Sequence, residues 1–341
     1  MQKIIINNNK KTKIRLDKFL FIYLFKNKKF KSRQTIQNDI KKGKILLNNH
    51  RTKKNKIIKL NDKIKYYYKK KHSINKNNTP NYIYPNKKIQ VNIHYEDDNI
   101  LIINKNPGLI VHPGCGNYRN TLINWVKYYF YKNKINYNLD LNYLSNNRYG
   151  LLHRLDKNTS GLLIMAKNIK YFNSIKNQFL NKTIKKKYIA LIWGIPKTKK
   201  NIIKNYIGRN KKNRIKMMVK NNKKDGKYSI TQYKILKTFK FFSLIECTLE
   251  TGRTHQIRVH MKYIGHPIFN DNLYGGNKII NNIIKHNYKK YVYTLFTIIK
   301  RHALHAYYLK YEDPITKNNK SFKAKLPKDI KNGIKFLNKN F

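Results

Sequence analysis

The chain has 341 residues, with 76 Lys and Arg against 15 Asp and Glu, and a formal net charge of +61. This length can bury a sizeable core and favours two domains. The charge favours a polyanionic partner such as nucleic acid, although codons rich in A and T would also enrich the chain in Lys, Asn, Ile and Tyr. The two cysteines, Cys115 and Cys247, are far apart, which excludes a disulfide framework and a zinc-ligand cluster and fits a reducing cytoplasm.

The chain begins with a polar segment. Residues 1–13 have neither the apolar core nor the cleavage site of a signal peptide, and they are predicted to be a disordered lead. The apolar run from Phe19 to Phe25 is far shorter than the roughly 20 residues of a membrane span. No membrane anchor is therefore predicted.

Residues 14–65 are predicted to form one compact unit. Apolar residues recur at helical spacing in a first helix: Leu16, Phe19, Leu20, Tyr23 and Leu24. A second helix is predicted from a cap at Ser32 to a stop at Gly43. Short strands then follow, joined by a turn at Asn61 and Asp62.

Residues 66–88 are polar and charged, contain Pro80 and Pro85, and are predicted to be a linker. Short strand-like runs predominate in residues 89–341. Among them are a few helices, notably at 121–131 and 168–181. The predicted fold class is therefore α+β: a small N-terminal domain, then a second domain with a mixed, mostly antiparallel sheet flanked by helices.

The segment 153–161, HRLDKNTSG, interrupts two strand-like runs. A loop there would hold Asp156 at the end of a strand. An isolated Asp in a polar loop usually only caps a turn, here through Asn158 and Thr159. The nine-residue string, however, closely resembles the HRLDxxTSG catalytic signature of the RluA-type pseudouridine synthases.

Four further segments resemble the same family, in the order that the family requires: residues 104–126, 185–194, 249–276 and 301–314. Residues 14–65 resemble the S4 RNA-binding domain, in which a basic helix face binds structured RNA; an ordinary basic helical domain is the alternative. Together these segments cover nearly the whole chain. The S4-like start and segment 104–126 favour members that modify large-subunit ribosomal RNA.

The resemblance implies an isomerase that breaks the bond from ribose C1′ to uracil N1, turns the base, and joins C1′ to C5. Asp156 is implied to be the catalytic carboxylate, as a nucleophile at C1′ or as a base at C2′. Arg258 is implied to pair with Asp156, a phosphate contact being the alternative. Tyr188 is implied to stack on the flipped uracil, a core tyrosine being the alternative.

Other residues are candidate RNA contacts. Arg154 is suited to fill the gap left by the extruded base, and Arg253 to bind phosphate, with pairing to Asp156 as its second interpretation. The remaining candidates are His153, Lys157, Arg15 and Arg33. For Lys157, a solvated lysine is the preferred alternative in so basic a chain.

No metal or organic cofactor is predicted. The histidines in the matched segments lack the spacing and acidic partner of a zinc hydrolase, and they are interpreted as structural. The expected partner is ribosomal RNA, with no membrane, no obligate protein partner and a cytoplasmic location. Residues 277–300 match the family poorly and are predicted to be a variable loop.

Two other functions compete with this interpretation. A non-catalytic RNA-binding protein would have no reason to keep Asp156, Tyr188 and Arg258 together. A glycoside hydrolase would need two carboxylates that flank the bond, whereas this signature supplies one carboxylate with arginines.

Overall fold

The computed structural model describes residues 2–7, 14–26, 33–68, 83–114, 116–133, 148–279 and 288–341. Its contacts divide the chain into two compact units, residues 1–82 and 83–341. No helix among the described residues is long and apolar enough to cross a membrane.

The described residues of the first unit form two helices and six short strands. They are β1 (Gln2–Asn7), β2 (Ile14–Arg15), α1 (Leu16–Lys26), α2 (Arg33–Lys41), β3 (Ile45–Leu47), β4 (His50–Arg51), β5 (Ile57–Ile58) and β6 (Lys63–Tyr68). One antiparallel sheet has the order β1-β6-β3-β4, and β2 pairs with β5. The helices bury Leu16, Leu20, Leu24, Ile36 and Ile40 in a common core with the sheet.

The prediction of a disordered lead is wrong for residues 2–7. This segment pairs antiparallel with β6, from Gln2 opposite Tyr68 to Asn7 opposite Lys63. Ile6 is 2% exposed in the core of the unit, and the ladder satisfies backbone groups that would otherwise need water. The rest of the predicted lead, residues 8–13, lies outside the described residues.

Both predicted helices of this unit are present. Leu16, Leu20 and Leu24 lie four residues apart on the buried face of α1, as the periodicity requires. Gly43 follows α2 with φ of +70°, the left-handed conformation that commonly ends a helix. The proposed cap Ser32 lies outside the described residues.

The second unit contains ten strands and five α-helices among the described residues. The strands are β7 (Asn92–Glu96), β8 (Ile100–Lys105), β9 (Ser160–Ala166), β10 (Lys185–Trp193), β11 (Lys200–Arg209), β12 (Met217–Lys220), β13 (Lys227–Thr238), β14 (Phe242–Leu249), β15 (Leu304–Glu312) and β16 (Asn319–Lys323). The helices are α3 (Leu122–Lys132), α4 (Ile169–Leu180), α5 (Gln256–Tyr263), α6 (Lys289–Ile298) and α7 (Lys328–Asn340).

The strands form one mixed sheet with the order β12-β11-β13-β14-β10-β15-β9-β8-β7, and β16 pairs with β15. All pairings are antiparallel except that of β15 with β9. The predicted α+β class with a mixed, mostly antiparallel sheet is therefore confirmed.

Helices cover both faces of the sheet at β8 and β9. Leu163 and Met165 of β9 join the larger core, which includes residues of α3, α5, α6 and α7. Leu162 and Ile164 point to the opposite face and join a smaller core with residues of α4. Because successive side chains of a strand alternate between faces, β9 is apolar along most of its length.

The predicted linker, residues 66–88, is too long at both ends. At its start, β6 continues to Tyr68. At its end, Asn86 donates from its backbone to the carbonyl oxygen of Asn124 at 3.0 Å, and Asn124 donates from its side chain to that of Tyr84 at 2.7 Å. These bonds tie the residues from 83 onward to the second unit. The middle of the segment, residues 69–82, lies outside the described residues.

The helices predicted at 121–131 and 168–181 correspond to α3 and α4. Thr121 precedes α3, and the Asn124 side chain accepts the N–H of Thr121 at 3.0 Å. Asn168 precedes α4 and accepts the N–H of Tyr171 at 2.9 Å. Both helices therefore begin at a side-chain hydrogen bond to a backbone N–H of the first turn, and their starts agree with the predicted bounds.

The interpretation of residues 277–300 as a variable loop is wrong for its second half. Residues 289–298 form α6, which buries Val292 and Leu295 completely. This three-residue spacing places both side chains on one face of the helix, where they join the larger core. Residues 280–287 lie outside the described residues.

Candidate active site

The loop from His153 to Thr159 leads into β9 at the junction with β15. The N–H of Thr159 donates to the carbonyl oxygen of Asp156 at 3.2 Å and closes a turn. Gly161 follows with φ of +116°, and a Cβ there would lie 2.1 Å from the carbonyl oxygen of Ala306. Only glycine allows β9 to approach β15 this closely, so the last residue of the signature holds the loop against the sheet.

The segment that precedes β15 holds the same loop from one side. Arg301 donates to the carbonyl oxygen of Asn158 at 2.7 Å and to Ser160 Oγ at 3.1 Å. Its Nε pairs with Asp329 of α7 at 2.7 Å. Arg301 thus connects α7 to the loop that carries Asp156.

A buried lysine holds the loop from the other side. Lys105 Nζ donates to the carbonyl oxygens of Asn106, Leu109 and Lys157 at 2.8, 2.9 and 3.0 Å. Burial, with the nearby charge of Arg301, lowers the pKa of Lys105 to about 7. Three carbonyl dipoles offset the loss of water around this amine, so Lys105 fixes the backbone next to Asp156.

Asp156 and Arg258 are in direct contact. Arg258 Nη1 donates to Asp156 Oδ2 at 2.9 Å, across 102 residues of sequence. The same guanidinium binds a second carboxylate, because Nε and Nη2 donate to the two oxygens of Asp271 at 2.7 and 2.8 Å. The side chain of Asp271 is fully buried, that of Arg258 is 6% exposed, and that of Asp156 is 20% exposed.

These contacts account for every nitrogen of the Arg258 guanidinium. Burial disfavours its charge, but the hydrogen bonds and charges of Asp271 and Asp156 outweigh burial and raise its pKa above the ordinary value. Arg258 therefore stays protonated and occupied by carboxylates. This geometry favours pairing with Asp156 over the alternative of a phosphate contact.

Tyr188 lies on β10 and lines the same pocket as Asp156. It is 6% exposed and belongs to the larger core. Burial, together with the charge of Asp156, raises its pKa above the ordinary value, so the phenol remains protonated. The side chain thus combines the two sequence interpretations: its surroundings are those of a core residue, yet part of it forms the pocket wall.

The pocket is lined by residues from four parts of the second unit: Arg154, Leu155, Asp156, Thr159, Tyr188, Leu249, Arg253, His255, Gln256, Ile257, Arg258 and Leu304. His255 Nε2 lies 3.8 Å from Asp156 Oδ2, and its Nδ1 lies 2.8 Å from Tyr274 Oη. Burial lowers the pKa of His255, and the charge of Asp156 only partly opposes this effect. His255 therefore forms part of the pocket wall, which its interpretation as a structural histidine did not anticipate.

Three exposed cationic side chains lie at this pocket or on the loop that carries Asp156. Arg154 and Arg253 line the pocket, whereas Lys157 lies on the loop with its side chain exposed. Arg253 donates from Nε to the carbonyl oxygen of Tyr228 at 3.2 Å, and no hydrogen bond or ion pair joins it to Asp156. The second interpretation of Arg253, as the partner of Asp156, is therefore not supported.

His153 is a less suitable RNA contact than the sequence indicated. Its Nε2 accepts the backbone N–H of Ile164 at 3.1 Å, and its ring lies 5.2 Å from that of Phe179. Burial, with the charge of Lys186, lowers its pKa to about 3. A neutral imidazole bonded to β9 supports the loop and offers no charge to a phosphate.

Arg15 and Arg33 lie in the first unit and share one buried carboxylate. Arg15 Nε and Arg33 Nη2 are 3.2 and 3.0 Å from the oxygens of Asp17, which Gln37 also contacts at 2.6 Å. The two arginine side chains are each 45% exposed. Both guanidinium groups thus already bind Asp17, and their exposed edges remain accessible to a ligand.

The sequence interpretation missed Asp271 and the roles of Lys105 and Arg301. Asp271 lies inside the matched segment 249–276, but nothing in its spacing shows that it would meet Arg258. No group of three or more His, Cys, Asp or Glu within the described ranges could hold a metal ion.

Comparison with known proteins gives consistent matches. The profile of the RNA pseudouridylate synthase family matches residues 99–263, a span that includes Asp156, Tyr188 and Arg258. An "Uncharacterized RNA pseudouridine synthase" of Chlorobaculum parvum is 35% identical over 320 residues, which cover 94% of this chain and 92% of that relative. "Ribosomal large subunit pseudouridine synthase D" of Buchnera aphidicola subsp. Schizaphis graminum is 41% identical over 253 residues, or 74% of each chain.

Among solved structures, "Human RNA Pseudouridylate Synthase Domain Containing 4" matches with a TM-score of 0.55 and 21% identity. The match covers 72% of this chain and 93% of the human chain. At this identity the likeness concerns the fold, which the two chains share.

Proposed function

This chain belongs to the RNA pseudouridylate synthase family and is an RNA isomerase, and on that premise we propose that it converts specific uridines of large-subunit ribosomal RNA to pseudouridine. The observation that carries the proposal is the 2.9 Å contact between Asp156 and Arg258 in a pocket that Tyr188 also lines. It supplies an oriented carboxylate beside an aromatic ring, as the reaction requires.

Asp156 is the proposed catalytic residue. Its Oδ2 accepts the bond from Arg258, whereas its Oδ1 accepts no hydrogen bond from the described residues. Oδ1 is therefore the oxygen left to face a ribose. It either bonds to C1′ as the C1′–N1 electron pair leaves with uracil, or it removes the proton from C2′; both routes remain open. In the first route the base turns and C5 bonds to C1′ as the Oδ1–C1′ bond breaks. In the second route the C1′–N1 bond breaks as the C2′ proton leaves, C5 of the turned base bonds to C1′, and C2′ regains a proton. In both routes C5 then loses its proton and N1 gains one.

Arg258 and Tyr188 prepare this chemistry. Arg258 orients Asp156, since its planar fork fixes the direction of each hydrogen bond that it donates. Tyr188 presents a protonated, apolar ring on which a flipped uracil can stack. Both residues act before any bond changes, by holding the carboxylate and the base in place.

Exposed cations around the pocket would hold the RNA strand. Arg154, two residues before the catalytic Asp156, is placed to fill the space that a flipped base leaves. Arg253 and Lys157 are proposed phosphate contacts. We assign the first unit, with its two helices and antiparallel sheets, to an S4-like role in RNA targeting.

The large-subunit substrate is inferred from relatives. Several proteins named "Ribosomal large subunit pseudouridine synthase D" are 34% to 41% identical to this chain. A D-type site is therefore proposed, with the site of the sibling large-subunit enzyme C as the alternative. A location in the cytoplasm, without a cofactor or an obligate protein partner, completes the proposal. Mapping pseudouridines in the ribosomal RNA of cells with and without the gene distinguishes the two targets.

The test of the chemistry uses transcripts with tritium at C5 of uridine. The wild-type protein should release tritium and form pseudouridine. Asp156→Asn should lower the rate by more than ~10³-fold while RNA affinity stays within a few fold, since the carboxylate serves chemistry and not binding. Asp225→Asn, at an exposed site outside the pocket, is the matched control and should keep the wild-type rate.

Three outcomes contradict the proposal. Turnover by Asp156→Asn at the wild-type rate would remove Asp156 from the mechanism. Release of free uracil without pseudouridine would indicate a glycosidase instead. RNA binding by the wild-type protein with no product from any ribosomal transcript would favour the non-catalytic alternative.

A further inference from the structure

His255 stands at the start of α5 in a strained backbone conformation. Its φ of +57° lies in the left-handed region, which is uncommon for a residue other than glycine. Its ring is also held, because Nδ1 lies 2.8 Å from Tyr274 Oη and the two rings meet edge to face, with centroids 5.7 Å apart. The surrounding structure therefore fixes the position of this imidazole at the pocket.

The hydroxyl of Tyr274 decides which ring nitrogen of His255 carries the proton. Tyr274 Oη accepts the backbone N–H of Met217 at 2.9 Å, and burial raises the pKa of Tyr274 to about 12, so the phenol keeps its proton. Among the described residues, His255 Nδ1 is the acceptor that lies within hydrogen-bond distance of this hydroxyl. Tyr274 therefore donates to Nδ1. Burial lowers the pKa of His255, so the ring is neutral at pH 7 and carries its proton on Nε2.

The Nε2–H group of His255 faces the pocket beside the catalytic carboxylate. Nε2 lies 3.8 Å from Asp156 Oδ2, beyond hydrogen-bond distance, and that oxygen already accepts the bond from Arg258. Within the described ranges Nε2 has no hydrogen-bond acceptor, and the His255 side chain is 15% exposed. His255 thus presents a neutral, directed donor to a ligand in the pocket.

The place of this donor points to the ribose of the target uridine. Asp156 acts at C1′ or at C2′, and the 2′-oxygen is bonded to C2′, so it lies within reach of a donor that is 3.8 Å from the carboxylate. The carbonyl oxygens of uracil are poorer candidates, because the base leaves C1′ and turns during the reaction whereas the ribose stays in place. A donor with a fixed ring suits the part of the substrate that does not move.

We propose that His255 donates from Nε2 to the 2′-oxygen of the target uridine and thereby selects ribose over deoxyribose at the reacting nucleoside. The 2′-hydroxyl is the group by which a protein distinguishes RNA from DNA at a given position. This inference rests on the proposed role of Asp156, which places the ribose next to His255. The competing role is structural: an imidazole that only begins α5 and closes the pocket wall.

Two variants of His255 separate the donor from the backbone conformation. His255→Gln extends an amide to the place of Nε2 and keeps an N–H group there. His255→Asn ends at the place of Nδ1, so it keeps a partner for Tyr274 and favours the left-handed backbone, but it has no donor for the ribose. We expect His255→Asn to lower the single-turnover rate by ~10- to 100-fold and His255→Gln by less than ~5-fold. A structural role predicts the opposite order, because asparagine fits this φ better.

The decisive test compares two substrates that differ by one hydroxyl. Transcripts carry tritiated uridine or 2′-deoxyuridine at the target position and ribonucleotides elsewhere. The intrinsic effect of the 2′-oxygen on the chemistry at C1′ is the same for every variant, so it cancels when the ribose-to-deoxyribose rate ratios are compared. The ratio should be ~10- to 100-fold larger for the wild-type protein than for His255→Asn, because only the wild-type protein loses a hydrogen bond with the hydroxyl. His255→Gln should keep a ratio within ~5-fold of the wild-type ratio.

Removal of a tyrosine hydroxyl tests the assignment of the imidazole proton. Tyr274→Phe keeps the ring that lies 5.0 Å from the Arg258 guanidinium carbon. It releases Nδ1, so the proton is shared between the two nitrogens and the rate ratio should fall by ~3- to 10-fold. Tyr311→Phe is the matched control, since the Tyr311 hydroxyl is buried, has no hydrogen-bond partner within the described residues and lies outside the pocket. Its removal should leave the ratio unchanged.

Rates are measured with saturating enzyme, below the unfolding midpoint of each variant. An equal rate ratio for the wild-type protein and His255→Asn would overturn the inference, as would a higher rate for His255→Asn than for His255→Gln. Asp156→Asn is measured in the same assay. If that variant keeps the wild-type rate, the proposed catalytic role of Asp156 fails; if it is inactive and the ratios are equal, the selection of ribose by His255 alone fails.

Discussion

Each unit of this protein contains a cluster in which a fully buried aspartate carboxylate binds arginine. The two clusters differ in how deeply the arginine is buried. In the first unit, Asp17 binds Arg15 and Arg33, whose side chains are each 45% exposed. In the second unit, Asp271 binds Arg258, whose side chain is only 6% exposed. The outer edges of Arg15 and Arg33 reach water, whereas the remaining edge of Arg258 reaches a second carboxylate.

The difference shows how burial changes the use of the same ion pair. An exposed arginine on a buried anion ties surface segments together, and its contribution is limited because water competes for the guanidinium. A buried arginine has no water to satisfy its third nitrogen, so it must find another acceptor, and here that acceptor is Asp156. In the second unit the fold therefore directs an N–H group of Arg258 at Asp156, which lines the pocket.

Replacing arginine by lysine in each cluster is expected to give the largest difference in isomerisation rate between the two clusters. Arg258→Lys keeps the charge but cannot bind both carboxylates through a planar fork, so the single-turnover rate should fall by ~10²-fold or more. Arg33→Lys should leave the rate unchanged and cost less than ~1 kcal/mol in the free energy of unfolding. Tritium release and chemical denaturation measure the two quantities. A larger rate effect from Arg33→Lys would reverse the assignment of the clusters.

As the pH falls, the second unit should begin to lose stability at a higher pH than the first unit. Burial lowers the pKa values of His260 and His305 to about 4. The unfolded chain therefore binds protons more readily, and stability should fall as the pH drops from ~6.5 toward 4, by at most ~3 kcal/mol for each histidine.

The first unit should respond at lower pH. Burial opposes the charge of Asp17, but bonds from Gln37 and Arg33 outweigh burial and lower its pKa. Its contribution to stability is thus lost only below the ordinary Asp value of ~3.9. Hydrogen exchange of each unit between pH 7 and 3 measures the order of unfolding. Loss of protection in the first unit above pH 5, ahead of the second, would contradict this prediction.

Removal of the first unit should separate targeting from chemistry. A chain that begins at residue 83 keeps both cores of the second unit, so it should isomerise uridine in a short stem-loop at high RNA concentration at near the full-length rate. On ribosomal precursors at low concentration it should be ~10-fold slower, because a second binding domain no longer raises the effective concentration. An equal loss on both substrates would mean that the first unit contributes to the active site.

The smallest expected effect concerns phosphate binding at the pocket. Arg253→Gln should weaken RNA binding a few fold and reduce the slope of log affinity against log salt by about 0.7 to 0.9, since one phosphate contact is lost. Lys331→Gln, at an exposed position of α7 outside the pocket, is the matched control. Binding titrations at several salt concentrations give both slopes. Identical slopes for the two variants would remove Arg253 from the RNA contacts.

Local sequence patterns were sufficient to predict much of the fold. The apolar periodicity of α1 is a short-range property, and the structure has α1, α3 and α4 where they were predicted. The predictions failed where the deciding partner lies far along the chain. Gln2–Asn7 is only six residues long, and it becomes a strand because β6 offers a free edge more than fifty residues later. The apolar face of α6 likewise depends on a core built from distant strands.

For the site, the sequence determined the chemical groups and the tertiary structure decided their arrangement. The signature around Asp156 and the segments with Tyr188 and Arg258 indicated a carboxylate, an aromatic ring and a cation. The fold was needed to show that Asp271 binds the cation, that Lys105 and Arg301 hold the loop, and that His255 lines the pocket. Hydrogen bonds and ion pairs act over about 3 Å, and no local sequence rule specifies which residues the packing of strands and helices brings that close.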